Sequence, residues 1–189
     1  MVDEELKRIV KSYALDIEAA ADGTLYKVNG EPTVIDDIDD WKQKEWDRQK
    51  AEFLREHPFT DPDDKETYES EDEYVTDNIG DVDDIDDPEQ MSVMDYINDN
   101  SLGDVRFEVN GNMECGGGKV LLAFGGPNVW LHDDEICGHW GGDTETWSLC
   151  SDARDALMEF FQEEWNTWYA ALARADSRMT VCSRSMRSR

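Results

Sequence analysis

Positive charge is scarce in this sequence of 189 residues. Eighteen Lys and Arg face 46 Asp and Glu, which gives a formal net charge of −28 at neutral pH. A surface this acidic repels nucleic acid and anionic membranes, whereas cationic protein grooves, metal ions and polyamines complement it. Composition therefore predicts neither direct nucleic-acid binding nor membrane binding, and it favours a basic protein partner.

Long apolar runs are also missing. No stretch approaches the ~20 apolar residues that a membrane-spanning helix needs. The first residues, MVDEELKRIV, lack the apolar core of a secretory signal peptide. We therefore expect a cytoplasmic protein in which the four Cys are reduced.

The motifs of common catalytic sites are absent as well. The sequence contains no GxSxG and no CxxC, and its segment GGGKVLLAFGG lacks the GxxxxGK[ST] order of a phosphate-binding loop. Cys137 with His132 or His139 would form a thiol–imidazole pair, but nothing in the sequence orients one. We therefore predict that the protein is not an enzyme.

Metal binding finds partial support. Cys115, Cys137, His139 and Cys150 supply the three thiolates and one imidazole of an ordinary structural zinc site, although no paired spacing connects them. The sequence leaves zinc binding by these four residues open. The acidic run 81–87 does not place ligands as a calcium-binding EF-hand loop requires, so we predict no cofactor.

What the sequence does contain is enough apolar material for a core. Hydrophobic residues make up 39%, with seven Trp, six Tyr and six Phe, whereas disordered chains are poor in aromatics. Apolar spacing predicts helices over 2–20 and about 38–56, with a strand over 24–29 between them. Between positions 61 and 90, fifteen acidic residues accompany one Lys, which predicts a solvated acidic segment.

The second half predicts a β-meander followed by a helix. A short helix over 91–99 precedes five strand candidates separated by Gly-rich turns. These candidates are 104–109, 119–124, 128–132, 135–140 and 145–149. Ser151 is suited to cap a helix whose apolar stripe contains Leu157, Phe161, Trp165, Trp168 and Leu172.

The predicted class is α+β, with an antiparallel meander packed by the C-terminal amphipathic helix. The predicted divisions are an N-terminal helical region (1–60), an acidic segment (61–90), a sheet domain (91–173) and a disordered basic tail (174–189). Five Arg and one Asp in the last sixteen residues suggest the tail.

Charge spacing gives the first functional hypothesis. Carboxylates recur about every 6.6–6.8 Å along one side of an extended chain, and about every 5–6 Å at i, i+4 on a helix. Duplex DNA presents one phosphate per ~3.4 Å on each strand, so an acidic protein can approach its charge density. Tyrosines among the acids are suited to anchor an interface. The residues expected to contact the partner are Asp36, Asp37, Asp39, Asp40, Asp61, Asp63, Asp64, Glu69, Glu71, Asp72, Glu73, Asp77, Asp81, Asp83, Asp84, Asp86, Asp87, Tyr68 and Tyr74.

Three motifs in the second half carry a resemblance. They are GGPNVW at 125–130, HWGGD at 139–143 and EFFQEEWN at 159–166. With them, the stretch 91–166 resembles a family of small acidic proteins encoded on bacterial phages and conjugative elements. The resemblance implies a bacterial host cell and a context similar to that of anti-CRISPR and anti-restriction inhibitors, and it carries no catalytic residues.

Together these observations predict an acidic inhibitor that mimics nucleic acid. Its expected partner is a basic nucleic-acid-binding protein: a CRISPR effector complex, or another DNA-binding defence enzyme. The alternatives are a mobile-element interaction module that does not mimic nucleic acid and, third, a metal-dependent Cys/His enzyme.

Overall fold

The chain folds into two compact units. A computed structural model describes residues 2–60 and 62–185, with side chains described at 4–60, 64 and 66–174. The sheet unit comprises Met1–Leu25 and Gln90–Arg189, and the acidic unit comprises Tyr26–Glu89. The sequence predicted a separate N-terminal region (1–60) that contains the first helix, whereas the structure places this helix in the sheet unit. The apolar face of a helix shows that the helix packs against something, but not against which element.

The elements alternate between helix-rich and strand-rich stretches. The helices are α1 (Val2–Asp22), α2 (Ile38–Glu56), α3 (Pro62–Thr67), α4 (Glu71–Ile79), α5 (Val93–Asn100) and α6 (Ser151–Ser185), with a 3₁₀ turn at Val82–Asp84. The strands are β1 (Leu25–Val28), β2 (Glu31–Val34), β3 (Glu89–Gln90), β4 (Val105–Val109), β5 (Cys115–Ala123), β6 (Asn128–His132), β7 (Glu135–Trp140) and β8 (Asp143–Ser148). Strands β1 to β3 have the order β2-β1-β3.

The predicted meander is confirmed as a five-stranded antiparallel sheet of order β4-β5-β6-β7-β8. Short turns dictate this order, because each strand pairs with the next. Between β7 and β8 the turn residues Gly141 and Gly142 have φ of 61° and 99°. Two positive φ values in a two-residue hairpin favour glycine, and they bring Trp140 opposite Asp143.

One face of the sheet is covered by helices. Leu6 and Val10 of α1 lie directly over Gly138 of β7, and Phe161 of α6 lies over Gly118 of β5. All three covering side chains are buried, and α5 completes the layer. The α+β class is thus confirmed, but α1 belongs to the sheet layer and not to a separate N-terminal region. We call the opposite side of the sheet the open face.

The C-terminal helix is longer than the sheet can cover. Leu157, Phe161 and Trp165 are buried as their spacing predicted, whereas Trp168 and Leu172 remain 48% and 46% exposed. Helix α6 also continues to Ser185, where the sequence predicted a disordered tail from position 174. Apolar periodicity therefore identified the helix but not the point at which its packing ends.

The acidic unit is folded where the sequence predicted a solvated segment. Its side chains cap its own helices. Ser70 accepts a hydrogen bond from the Glu73 amide at 3.1 Å, and Asp81 and Asp84 form a reciprocal capping box around the 3₁₀ turn. Carboxylates at helix N-termini satisfy free amides and oppose the helix dipole favourably. The like-charge run therefore contains its own folding signals.

A small aromatic core holds the acidic unit together. The Tyr74 ring contacts Phe53, Phe59 and Tyr68 at centroid distances of 5.5, 5.2 and 5.3 Å. Val75, in the same helix, is completely buried. These contacts provide the apolar burial that offsets repulsion among the surrounding carboxylates.

No described helix combines the length and apolar character needed to cross a membrane.

A half-buried carboxylate in the sheet unit gives a pH prediction. The Tyr96 hydroxyl donates to Asp16 Oδ2 at 2.9 Å, yet burial still raises the pKa of Asp16 above its ordinary value of 3.8. At pH values between the ordinary and the raised pKa, Asp16 is more often protonated in the folded state than in the unfolded state. The free energy of unfolding therefore falls as pH rises through this range. We expect Asp16→Asn to increase the free energy of unfolding at pH 7 and to lose this advantage below about pH 4.

The control for this prediction is Asp143→Asn, an exposed position. It removes the same charge from an acidic protein and so corrects for general relief of repulsion. Urea unfolding of both variants across pH 3 to 8 measures the difference. Equal stabilisation by the two substitutions at pH 7 would contradict the effect of burial.

Candidate partner-binding surface of the acidic unit

The carboxylates that the sequence singled out are on the surface. Every described member of that set is exposed except Asp64, which is half-buried. Asp61 and the side chain of Asp63 lie outside the described residues. Residues 26–89 together carry 24 Asp and Glu and seven Lys and Arg, a net charge of −17. The negative charge of the protein is therefore concentrated in this unit.

Some of these carboxylates have structural roles. Asp37 Oδ1 accepts hydrogen bonds from the amides of Asp39 and Asp40 at 3.0 and 3.1 Å and so caps α2. Glu73 Oε2 accepts the amide of Glu69 at 2.7 Å. Together with the box around the 3₁₀ turn, these bonds fix the ends of the acidic helices. A carboxylate that caps a helix uses some of its acceptor positions for backbone amides, but it keeps its negative charge.

Other carboxylates are compensated by cations from α2. Lys42 pairs with Asp87 at 2.7 Å, and Lys44 pairs with Asp40 at 2.5 Å. Lys50 pairs with Asp72. In the middle of α2 the charges alternate in sign, and Arg48 hydrogen-bonds Glu45 and lowers the pKa of that carboxyl to about 2. The exposed side of α2 is consequently mixed in charge beyond its first turn.

The remaining exposed carboxylates make no direct ion pair with a described residue, although the positive charge of Lys42 acts on two of them, Asp39 and Asp83. We call the following set the unpaired carboxylates, because their side chains make no hydrogen bond or ion pair with any described residue. They are Asp36, Asp39, Glu71, Asp83 and Asp86. All of them are exposed, and they lie before or within the first turn of α2, at the start of α4, and in or beside the 3₁₀ turn. A cationic partner would therefore reach these side chains without first breaking a hydrogen bond or an ion pair.

The two tyrosines proposed as interface anchors pack within the acidic unit. Tyr68 and Tyr74 are half-buried, pack edge to face, and Tyr68 donates its hydroxyl to Asp77 Oδ2 at 3.0 Å. They form part of the aromatic core of the acidic unit. Sequence alone could not show this, because Phe53 and Phe59, their partners, belong to a different predicted segment.

The four candidate zinc ligands do not converge. Cys115 donates its thiol to the Phe161 carbonyl on the covered side of the sheet, whereas Cys137 lies between Ile136 and Gly138 and so points to the open face. Cys150 precedes α6. Among the side chains that are described, no group of three or more His, Cys, Asp or Glu is placed to hold a metal ion.

The open face carries a cationic and aromatic cluster that sequence reasoning missed. Arg106 and Lys119 are direct cross-strand partners, and both lie over the Trp130 ring, at 4.7 and 5.1 Å from its centroid. Alternation in the strand sequences VRFEV and NVWLH indicates which residues share a face. Alternation does not show the register between strands, and it is this register that brings Arg106, Lys119 and Trp130 together.

Comparison with protein-family profiles, curated proteins and solved structures finds no match to this chain.

Proposed function

We propose that this protein is an inhibitor that mimics nucleic acid and blocks target-DNA binding by a CRISPR effector complex. The observation that carries the proposal is a folded unit of 64 residues with a net charge of −17 and its carboxylates on the surface. A DNA-binding channel is lined by Lys and Arg, and a fixed display of carboxylates competes with phosphates for them.

Order distinguishes this unit from a solvated acidic linker. A flexible polyanion loses conformational freedom when it binds, and this loss weakens its affinity. Here the caps on α2, on α4 and on the 3₁₀ turn hold the acidic segments in place. The carboxylates are therefore preorganised, which supports recognition by a structured channel.

Spacing along α4 supports the same proposal. Glu73 and Asp77 are both exposed and are separated by four residues in this helix. Residues at i and i+4 lie about 5–6 Å apart on one helix face. Charge repeats at this distance approach the spacing of phosphates along one DNA strand.

The sequence context agrees with an anti-defence role. The stretch 91–166 resembles acidic proteins of phages and conjugative elements, which act inside bacterial cells that carry CRISPR and restriction systems. The proposed partner is accordingly a basic nucleic-acid-binding protein complex of the bacterial cytoplasm, with other DNA-binding defence enzymes as the second class of target.

A competition assay tests the proposal. Fluorescent target DNA is bound to each of a panel of purified CRISPR effector complexes and restriction enzymes, and this protein is titrated in from 50 to 300 mM NaCl. We expect DNA displacement from at least one target, with an apparent affinity that falls by about tenfold or more over this range, because several ion pairs are screened. Stable ternary complexes with DNA, or binding that salt does not change, would contradict mimicry.

One observation favours a second candidate, an interaction module that does not mimic nucleic acid. On α6 the side chains Trp168, Tyr169 and Leu172 are each nearly half exposed, and the Trp168 ring lies 6.4 Å from Phe107 of the edge strand β4. Aromatic residues of this kind are enriched at protein interfaces. In this reading the acids provide solubility alone, so the partner would still bind after the unpaired carboxylates are replaced by amides.

A further inference from the structure

The geometry points to Cys137 as a reactive thiol that exchanges with anionic low-molecular-weight disulfides, which makes the open face a site of reversible S-thiolation. This inference is independent of the proposed function and rests on the sheet unit alone. Three features of the open face carry it: an imidazole aligned on the sulfur, hydroxyls that orient both groups, and two cations of β4 and β5 that reach the Trp130 ring beside the thiol.

The imidazole of His139 is placed to take the thiol proton. Cys137 and His139 are two residues apart on β7, so both point to the open face. His139 Nε2 lies 3.4 Å from Cys137 Sγ. An imidazole at this distance accepts the proton as the sulfur becomes a nucleophile.

Strand β8 supplies the groups that orient this pair. Thr144 is the cross-strand partner of His139, and its Oγ1 lies 3.0 Å from His139 Nδ1. The tautomer with its proton on Nδ1 donates to Thr144 and leaves the Nε2 lone pair directed at sulfur. Thr146, the partner of Cys137, donates its hydroxyl to Sγ at 3.8 Å and so stabilises negative charge there.

The surroundings also favour an anionic reagent. Trp130 is the partner of Cys137 on β6, and Arg106 and Lys119 lie over its ring. Arg106 is paired with Asp104 at 2.9 Å, so Lys119 provides the net positive charge. Reactive thiols occur in electropositive, partly exposed environments, and Cys137 is half-buried. Glu135, two residues before Cys137 on the same face, is the acidic neighbour on its strand.

The exchange step is balanced without a further oxidant. Cys137 transfers its proton to His139 Nε2, and the thiolate attacks one sulfur of a disulfide RS–SR. A new Cys137–SR bond forms as the RS–SR bond breaks, and the departing thiolate takes the proton back from His139. Attack by a second thiol reverses the modification.

Two other cysteines provide internal references. Cys150 is exposed, and its main chain is held by the Glu18 carboxylate, which accepts its amide at 3.1 Å. Cys115 is half-buried, and its thiol faces the carbonyls of Gly117 and Phe161. If exposure alone determined reactivity, Cys150 would react fastest with a disulfide. We expect Cys137 to react faster than Cys150 and Cys115.

Peptide-resolved mass spectrometry of the intact protein measures the three rates. The reduced protein is treated at pH 7 with oxidised glutathione, which is anionic, and separately with cystamine, which is cationic. We expect glutathione to modify Cys137 at least about tenfold faster than Cys150. We also expect a higher ratio of glutathione to cystamine reactivity at Cys137 than at Cys150, because Lys119 lies over the Trp130 ring beside Cys137.

Two variants make the inference falsifiable. His139→Gln should reduce the Cys137 rate to that of Cys150 without changing the Cys150 rate, and circular dichroism confirms that the fold is retained. Lys119→Gln should lower the glutathione rate at Cys137 more than the cystamine rate. Cys137 reacting no faster than Cys150 in the natural protein, or an unchanged Cys137 rate in His139→Gln, would overturn the assignment.

Discussion

Replacing the unpaired carboxylates Asp36, Asp39, Glu71, Asp83 and Asp86 by their amides is expected to weaken inhibition of the target by at least about 100-fold. Each group is exposed and makes no direct ion pair with a described residue, and interfacial charges of this kind contribute about 0.5–1 kcal/mol each when the surfaces are complementary. Five such losses amount to about 2.5–5 kcal/mol, which corresponds to the stated factor. None of the five side chains makes a bond with a described residue. Asp39, Glu71 and Asp83 lie in first turns, where the loss of a charge costs about 0.3–1 kcal/mol each, so thermal unfolding accompanies the assay to show that the variant is folded.

The matched control removes the same number of charges from the sheet unit. Its substitutions to amides are at Glu108, Asp143, Asp155, Glu159 and Glu163, all of which are exposed. Both variants have the same net charge, so a general electrostatic effect would weaken both equally. Mimicry by the acidic unit predicts that only the first variant loses inhibition. Similar loss in both would show that total charge, not its placement, determines binding.

Gly118→Val is expected to prevent folding of the sheet unit. A Cβ at Gly118 would lie 2.7 Å from the Arg106 carbonyl oxygen and 2.7 Å from Phe161 Cδ1. The first is backbone of the neighbouring strand and the second is a completely buried ring, so neither can move without breaking a strand pair or the helix contact. Overpacking usually costs about 1–3 kcal/mol and occasionally more. Because neither neighbour can yield here, we expect a cost above that range, comparable with the roughly 5–15 kcal/mol that stabilises a typical domain.

Gly126→Val is the control for the Gly118 variant. It adds the same side chain in the turn between β5 and β6, where no atom lies within 4 Å of the new Cβ. Thermal unfolding followed by near-ultraviolet dichroism of the tryptophans compares the two. We expect a cooperative transition close to that of the natural protein for Gly126→Val and none for Gly118→Val. A stable, cooperative Gly118 variant would contradict the close packing of α6 on β5.

The elements of the fold were predictable where one periodicity dominates. Helix α2 begins and ends where apolar spacing predicted, and the five strands of the sheet follow the alternation between the Gly-rich turns. Strand β5 begins earlier than expected, because Gly116 to Gly118 extend the ladder where glycines suggested a turn. Close approach of Phe161 requires glycine at position 118, and sequence alone shows the glycine but not the ring that it accommodates.

The acidic segment shows the limits of reading charge alone. A run of like charges predicts solvation, but the capping roles of Ser70, Asp81 and Asp84 stabilise helices within it. Tyr68 and Tyr74 interrupt the run, and the sequence predicted them to be interface anchors because tyrosine is enriched at protein interfaces. Their packing against Phe53 and Phe59 depends on contacts between segments distant in sequence, and no local pattern reports such contacts.

The Cys137–His139 pair illustrates the same point at a smaller scale. Their two-residue spacing placed both on one strand face, and this was visible in the sequence. The orienting hydroxyls of Thr144 and Thr146 come from the next strand, so they depend on the register of the hairpin. A register shifted by one residue would have turned both hydroxyls to the opposite face.

A cryo-electron microscopy map of this protein bound to an effector complex tests the central claim most directly. We expect the first turn of α2, the start of α4 and the 3₁₀ turn to lie in the channel that otherwise holds target DNA, with their carboxylates against its Lys and Arg side chains. A map in which the DNA channel is empty, and in which Asp36, Asp39, Glu71, Asp83 and Asp86 face solvent, would contradict it.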